Sequence, residues 1–392
     1  MDGRASRGVW LLAAGQTLVW AALYYSFAAL LPAWTADLGR SPAALTLGLT
    51  LALLVSATLA PVAGRLIDEG RGPILLTGGA LMGAALMAAL SLADSLTAFL
   101  ALWTLIGAAQ AGCLYEPCFA FVTRRLGPEA RPAITRITLV AGFASTLAFP
   151  AGAFMAANVG WRGAALGFAA LAALGAALLR RGAGELRAAG PARTAPAEPS
   201  ADRAAAAAAL ARPAFWLLAA SFPLMAFNHG ALINNLLPLL ADRGFAGGTA
   251  VLAASLVGPM QVAGRVALMT AGRATAATTL AACAFLAVAA AAALLMMAGP
   301  SAPALLFAFV ALQGAGYGVS SILRPAATAE RLGAAGFGVI SGRMALPYLA
   351  AAALAPFAGA ALAEAGGWDL TVAAVMAAAL LGAAGVALAA RG

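Results

Sequence analysis

The sequence predicts an all-α membrane protein: twelve transmembrane helices in two six-helix halves. Three observations carry that expectation. Of 392 residues, 63% are hydrophobic and only 9% are charged, where a soluble domain carries about a quarter. Apolar runs of the roughly 20 residues needed to cross a bilayer recur along the whole chain. Short words also repeat at one near-constant spacing, the mark of a duplicated unit.

The expected spans are about 9–36, 43–66, 73–92, 95–123, 132–157 and 161–179, then 214–240, 249–271, 274–298, 302–329, 336–363 and 367–390. The first is too long for a signal peptide, holds Trp20, Tyr24, Tyr25 and Trp34, and lacks a small-residue cleavage site after a short apolar core. It is expected to remain as a helix.

Every basic residue is arginine, and the 23 arginines orient the chain. With the N-terminus inside, 16 lie in or beside cytoplasmic segments and three (Arg40, Arg162, Arg243) lie outside. The positive-inside rule then places both termini in the cytoplasm of a cell whose cytoplasmic (inner) membrane holds the protein. The net charge of +9 is mostly this topological signal and calls for no nucleic-acid partner. Cys113, Cys118 and Cys283 fall in apolar spans and suggest neither disulfides nor a metal site. One histidine, His229, leaves little for a metal or catalytic centre. No cofactor, metal or enzymatic activity is expected; the partners are membrane lipid, protons and a small molecule, and the protein is expected to be a monomer.

The repeat is direct. WLLAA opens at Trp10 and Trp216, LLP ends at Pro32 and Pro238, and RLG begins at Arg125 and Arg331, each 206 residues apart. Pro150 and Pro356 share that offset; Gly107 and Gly314, and Trp161 and Trp368, stand 207 apart. The domains are therefore 1–179, a Pro-, Ala- and Arg-rich cytoplasmic linker 180–212 with an Ala run able to form a short helix, and 213–392. VAGR at 62–65 and 262–265 is 200 apart and breaks the register, as a coincidence or a local deletion. Gly79-x-x-x-Gly83 and Gly314-x-x-x-Gly318 read as close helix packing.

Charges inside spans cost about 2.5–3.5 kcal/mol on insertion scales and survive facing protein or water. Glu116, in CLYEPCFAF, is the one acidic residue deep in a span. On a continuous helix its neighbours are Ala109, Gly112, Cys113 and Ala120, a small-residue stripe turned toward other helices. Arg324, in SSILRPAAT, has Tyr317, Ser320, Ser321 and Thr328 on its face, a polar stripe suited to an aqueous cavity. Pro117 and Pro325, each following its charge, stand 208 apart, so the two segments are near-equivalent in the repeat.

Against one carboxylate stand four intramembrane arginines: Arg136, Arg265, Arg324 and Arg343. Surplus positive charge in a low dielectric invites an anionic ligand, and carboxylate or phosphate matches the guanidinium fork. Glu116 reads either as a static partner of Arg136 or as a protonation site that Arg136 restrains. Arg265 reads as a ligand or as a side chain reaching for the cytoplasmic surface. His229, in FNHGALINN beside Asn228, reads as a hydrogen-bonded core residue or a proton relay. Thr17, Trp20 and Tyr24 form an aromatic wall or a packing face.

With twelve spans, a 6+6 direct repeat and a central linker, the chain resembles the major facilitator superfamily over nearly its whole length. GRLIDEGRG (Gly64 to Gly72) resembles that family's loop signature after the second span; Gly64 and Asp68 match, while the following part is one residue short and has Glu69 where a basic residue is usual. The resemblance implies that this loop stabilises a cytoplasmic gate. Thr104 stands where drug/proton antiporters carry arginine, and GFASTLAFPAG lacks their Gly-Pro pair. TRRLGPEARPAITRITLVAGFAS and QVAGRV, with Arg265, resemble the bacterial monocarboxylate-porter-like branch, which includes oxalate/formate-type exchangers. The start of span 1 lacks the acidic-Gly-Gly-Trp of animal monocarboxylate carriers.

The resemblance implies rocker-type alternating access around a cavity lined by spans 1, 4, 7 and 10. The expected activity is proton-coupled transport of a small organic anion. Substrate contacts are expected from Arg324, Arg265, Tyr24, Asn228, Tyr317 and Arg343, proton coupling from Glu116, His229 and Arg136, and gating from Gly64 and Asp68. The alternative is efflux of a neutral or amphiphilic molecule, with the arginines as structural pairs.

Overall fold

The computed structural model describes residues 3–190, 208–271, 275–333 and 337–391. Among these the regular structure is entirely helical. Ten helices are long and apolar enough to cross a membrane, and two of them are too long for one crossing: Ala130–Ala188 has 59 residues and Ile340–Arg391 has 52. At 1.5 Å per residue the shorter would reach about 78 Å, over twice the ~30 Å hydrocarbon layer. Each is broken by a glycine in the left-handed region, Gly160 (φ 70°, ψ 170°) and Gly367 (φ 79°, ψ 170°). Counting each broken helix as two crossings makes twelve among the described residues. The two glycines stand 207 apart, so the repeat preserves even this backbone conformation, which a side chain would strain.

The chain divides into two compact units, Met1–Ala195 and Pro196–Gly392. The first contains α1 (Gly3–Trp20), a π-helical turn (Ala21–Tyr25), α2 (Ser26–Leu38), α3 (Pro42–Asp68), α4 (Gly72–Leu90), α5 (Leu96–Cys113), α6 (Tyr115–Leu126), α7 (Ala130–Ala141) and α8 (Ala144–Ala188). The second contains α9 (Pro213–Asp242), α10 (Gly247–Ala271), α11 (Ala277–Met297), α12 (Pro303–Leu332) and α13 (Phe337–Arg391). Starts follow the local chemistry: Ser41 and Ser95 accept hydrogen bonds from Ala44 N (3.3 Å) and Ala98 N (3.2 Å).

Both units pair their helices alike. In the first, α3 packs on α5, α4 on α5 and α8, and α1 on α8; in the second, α10 packs on α12, α11 on α12 and α13, and α9 on α13. Glycines let these backbones meet. A Cβ on Gly107 would fall 2.1 Å from the Ala52 carbonyl oxygen, and one on Gly314 would fall 2.8 Å from that of Val257. Gly318 is pressed onto Gln261 and Gly79 onto Ala109 in the same way, so both small-residue motifs serve packing. Gly264 of the second VAGR is pressed on Ala315, whereas Gly64 of the first faces open space; that word match is not carried into the packing.

The sixth crossing runs past the expected end at 179, to Ala188. Gly182 packs against Gly8 and Leu12, and Arg125 Nη2 donates to the carbonyls of Leu186, Arg187 (2.8 Å) and Gly190. A cation thus closes the carbonyl end of the helix. Residues 191–207 of the expected linker, including the start of its Ala run, lie outside the described residues, and 208–210, at the end of that run, are helical.

Two distortions join α1 to the fourth crossing. Pro117 has no N–H, so the Cys113 carbonyl loses its helical donor, and the chain breaks at Leu114 (φ −79°, ψ −158°). Gln16 Nε2 donates to that carbonyl at 2.7 Å. Reciprocally, Gln110 Nε2 donates at 2.6 Å to the carbonyl of Leu23, inside the π turn.

At the end of the halves opposite the termini, the repeat inverts its charges. Arg162 donates to Asp37 (2.8 Å) and Asp94 (2.9 Å), while Trp161 Nε1 also binds Asp37 (2.7 Å). In the second unit Arg243 pairs with Asp369 and donates to the carbonyls of Leu295 and Ala298. Arg243 lies 206 residues after Asp37, and Asp369 lies 207 after Arg162: the same ion pair with the signs exchanged. At the other end Arg124 binds Asp68 (3.2 Å), and its counterpart 206 residues on, Glu330, accepts from Thr278 Oγ1 (2.7 Å) and Ala277 N at the start of α11.

Two outcomes are expected in thermal unfolding of the detergent-solubilised protein. Arg243→Ala lowers Tm more than Arg162→Ala, because the Arg243 side chain is 11% exposed against 44% for Arg162 and it alone binds backbone carbonyls. Gln16→Leu costs about 1–2 kcal/mol by stranding the Cys113 carbonyl, and less in a Pro117→Ala background, where residue 117 regains an N–H. Equal losses in both backgrounds would show that Gln16 does not serve the proline gap.

Candidate functional site

In the second unit, α9, α12 and α13 bring one polar aromatic network together. His229 stacks flat on Tyr317, ring centroids 3.5 Å apart and planes 6° apart. The Tyr317 hydroxyl lies 3.3 Å from the Tyr348 hydroxyl. The Arg324 guanidinium carbon sits 4.1 Å over the Tyr348 ring, a cation–π contact worth about 0.5–2 kcal/mol. Arg324 Nη1 and His229 Nδ1 are buried and have no hydrogen-bond partner among the described residues.

The polar stripe expected along α12 is present: Tyr317, Ser320, Arg324 and Thr328 follow one another, with Ser320 and Thr328 buried. Thr328 Oγ1 donates to the Arg324 carbonyl at 2.8 Å, a bond back along its own helix. Asn228 braces the network. Its Oδ1 accepts from Gln313 Nε2 (2.8 Å) and its Nδ2 donates to the Val375 carbonyl (3.0 Å). That amide is engaged at both ends, which makes Asn228 a support of the site. His229 and Gln313 edge a cleft otherwise walled by Leu232, Ile233, Leu236, Val257 and Phe309. Arg265 is half-buried, and its Nε donates to the carbonyl of Gly318, the residue after Tyr317, at 2.9 Å. Arg343 is exposed near the start of α13, apart from the network.

In the first unit Tyr24 belongs to an aromatic cluster. Trp20 lies 5.1 Å from Tyr24 and 4.6 Å from Tyr115, Tyr24 lies 5.1 Å from Tyr25, and Tyr115 stacks on Phe119 at 4.8 Å. The π turn places the adjacent Tyr24 and Tyr25 in this cluster, both partly exposed. Glu116 is exposed in the first turn of α6, where the sequence placed it on an inward stripe. The break at Leu114 is the reason: Ala109, Gly112 and Cys113 belong to α5 and do not share its helix. Arg136 is exposed on α7. Asp68 ends α3 and pairs with Arg124 on α6, while Gly64 faces open space.

Tyr348, Gln16, Gln110 and Gln313 escaped the sequence reading. Scarcity could have found them. The chain has five tyrosines, all in these two clusters. Its glutamines (16, 110, 261 and 313) all lie buried in spans, where a polar side chain asks for a reason.

Twelve crossings in two like-packed units, with polar groups held at span depth, define a multi-pass membrane transporter. The family model of the Major Facilitator Superfamily matches residues 12–335, and the chain belongs to that family. Among solved structures it is similar to a bacterial homolog of the human lysosomal transporter Spinster. The inward-facing, unoccupied form gives a TM-score of 0.70 at 16% identity, and the inward-facing, occupied form 0.65 at 17%; each comparison covers 100% of this chain and 98% of the other. At such identity the likeness is one of fold. No curated protein matches the chain.

Proposed function

We propose that the protein carries a small organic anion, of the monocarboxylate kind, across the cytoplasmic membrane by proton-coupled alternating access, with both termini in the cytoplasm. The observation that supports this reading is Arg324: a guanidinium at span depth, stacked on Tyr348, with Nη1 buried and without a partner among the described residues. Guanidinium does not lose its proton in proteins. A carboxylate therefore supplies what the site lacks, and the in-plane N–H groups suit it. Arg265, bound to Gly318 six residues before Arg324 on α12, adds positive charge to the same helix. Tyr317 offers a hydroxyl, and Arg343 and Tyr24 remain further candidates for substrate contact. His229, stacked on Tyr317, and Glu116, exposed beside the aromatic cluster, are the proposed protonation sites. Arg136 is then the cation that answers Glu116, and Asp68 with Gly64 forms the gate, through the Asp68–Arg124 pair.

A second reading is efflux of an amphiphilic molecule. The cluster of Trp20, Tyr24, Tyr25 and Tyr115 next to Glu116 favours it, since aromatic faces and a carboxylate suit a cationic or aromatic guest.

Uptake of labelled lactate and oxalate into proteoliposomes separates the two. Arg324→Ala is expected to reduce uptake by at least tenfold and Arg324→Lys by less; undiminished anion uptake by Arg324→Ala would remove the ligand role. With an imposed pH gradient, His229→Gln or Glu116→Gln is expected to abolish the gradient's stimulation while leaving exchange down the substrate's own gradient. If neither variant alters the response to pH, these residues do not couple protons.

A further inference from the structure

We propose that Tyr348 is the positioning residue of the Arg324 site: its ring is a shelf that holds the guanidinium edge-on to the incoming anion, and its hydroxyl keys that shelf to Tyr317. The inference rests on the anion reading above and adds a residue that neither the sequence nor the family resemblance singles out.

A free arginine side chain samples many rotamers, and a binding site that must first order it loses affinity. Arg324 takes part in no ion pair among the described residues, and its Nη1 has no hydrogen-bond partner there. The contact that places the guanidinium is the Tyr348 ring, 4.1 Å beneath its carbon. The ring covers one face of the plane and takes no hydrogen bond from its N–H edges, and those edges are what a carboxylate engages with two parallel hydrogen bonds. Phosphate or carboxylate from a lipid headgroup would need the same edge, but the half-buried Arg324 sits within α12 beside buried Ser320 and Thr328, which suits a small soluble acid.

Tyr348 is itself held. It comes from α13, while Arg324 and Tyr317 come from α12. Its hydroxyl stands 3.3 Å from that of Tyr317, whose ring is stacked on His229 of α9. A separation of 3.3 Å is long for O–H···O, so the pair is a weak tie that orients the ring. The shelf thus spans three helices, and a shift of any one moves Arg324.

Uptake of labelled lactate, oxalate and benzoate into proteoliposomes is the test. Tyr348→Leu and Tyr348→Met, which remove the ring, are expected to raise KM about tenfold with Vmax within about twofold of the wild type. Tyr348→Phe and Tyr348→Trp, which keep a ring face, are expected to stay within about threefold in KM. Tm measured on each purified variant separates folding from binding. A KM unchanged in both ring-less variants overturns the proposal. So does an equal rise in Tyr348→Phe and Tyr348→Leu, which would assign the effect to the hydroxyl, and so does a fall in Tm with KM intact, which would assign Tyr348 to packing. If the wild type carries none of the three acids, the anion reading fails and this inference with it; if the wild type carries them and Tyr348→Leu does so equally well, this inference alone fails.

Discussion

Hydrocarbon offers no hydrogen bonds, so every polar group at span depth must find its partner within the chain. Much of this structure is a response to that condition. Where Pro117 deprives Cys113 of a donor, Gln16 reaches across from α1; where the π turn loosens Leu23, Gln110 reaches back. Asn228, Asn235 and Gln313 tie α9 to α12 and α13 through carbonyls and amides. These bonds let helices carry prolines and bends without exposing backbone to lipid. Several buried polar atoms stay unmet among the described residues, and two of them, Arg324 Nη1 and His229 Nδ1, lie in one network with Tyr317 and Tyr348.

The fold was largely legible because membrane helices write their length in apolar runs and a duplicated chain writes its symmetry in recurring words. Trp161 and Trp368 matched at the repeat offset, and the glycine just before each proved to hold the same left-handed conformation. Arg324, Tyr317 and His229 stood out because ionisable and aromatic polar residues are rare in such surroundings. What failed was anything needing a helix to be discontinuous. Glu116 was assigned to an inward face by counting through Leu114, yet the backbone there is extended, and counting has no meaning across it. Tyr348 was missed for a different reason. It lies on another helix from Arg324, and no periodicity within one segment can report a contact made between two.

The same rarity argument reaches further than it was taken. Tyrosines and glutamines are few, and each glutamine is buried. Side chains of this kind, met within an apolar run, mark bends and crossings as well as ligands. Asn228, hydrogen-bonded through both ends of its amide, is scaffold; Arg324, whose buried Nη1 has no partner among the described residues, is the proposed site.

The exchanged ion pairs have a bearing on how such a chain assembles. A protein made of two similar sets of helices risks seating a segment in the wrong set, since the apolar surfaces are alike. Were span 7 to take the seat of span 1, Arg243 would confront Arg162; were span 12 to take the seat of span 6, Asp369 would confront Asp37. Each of these helix ends thus bears an address that its own bundle accepts and the sister bundle repels, and duplication is kept from becoming confusion.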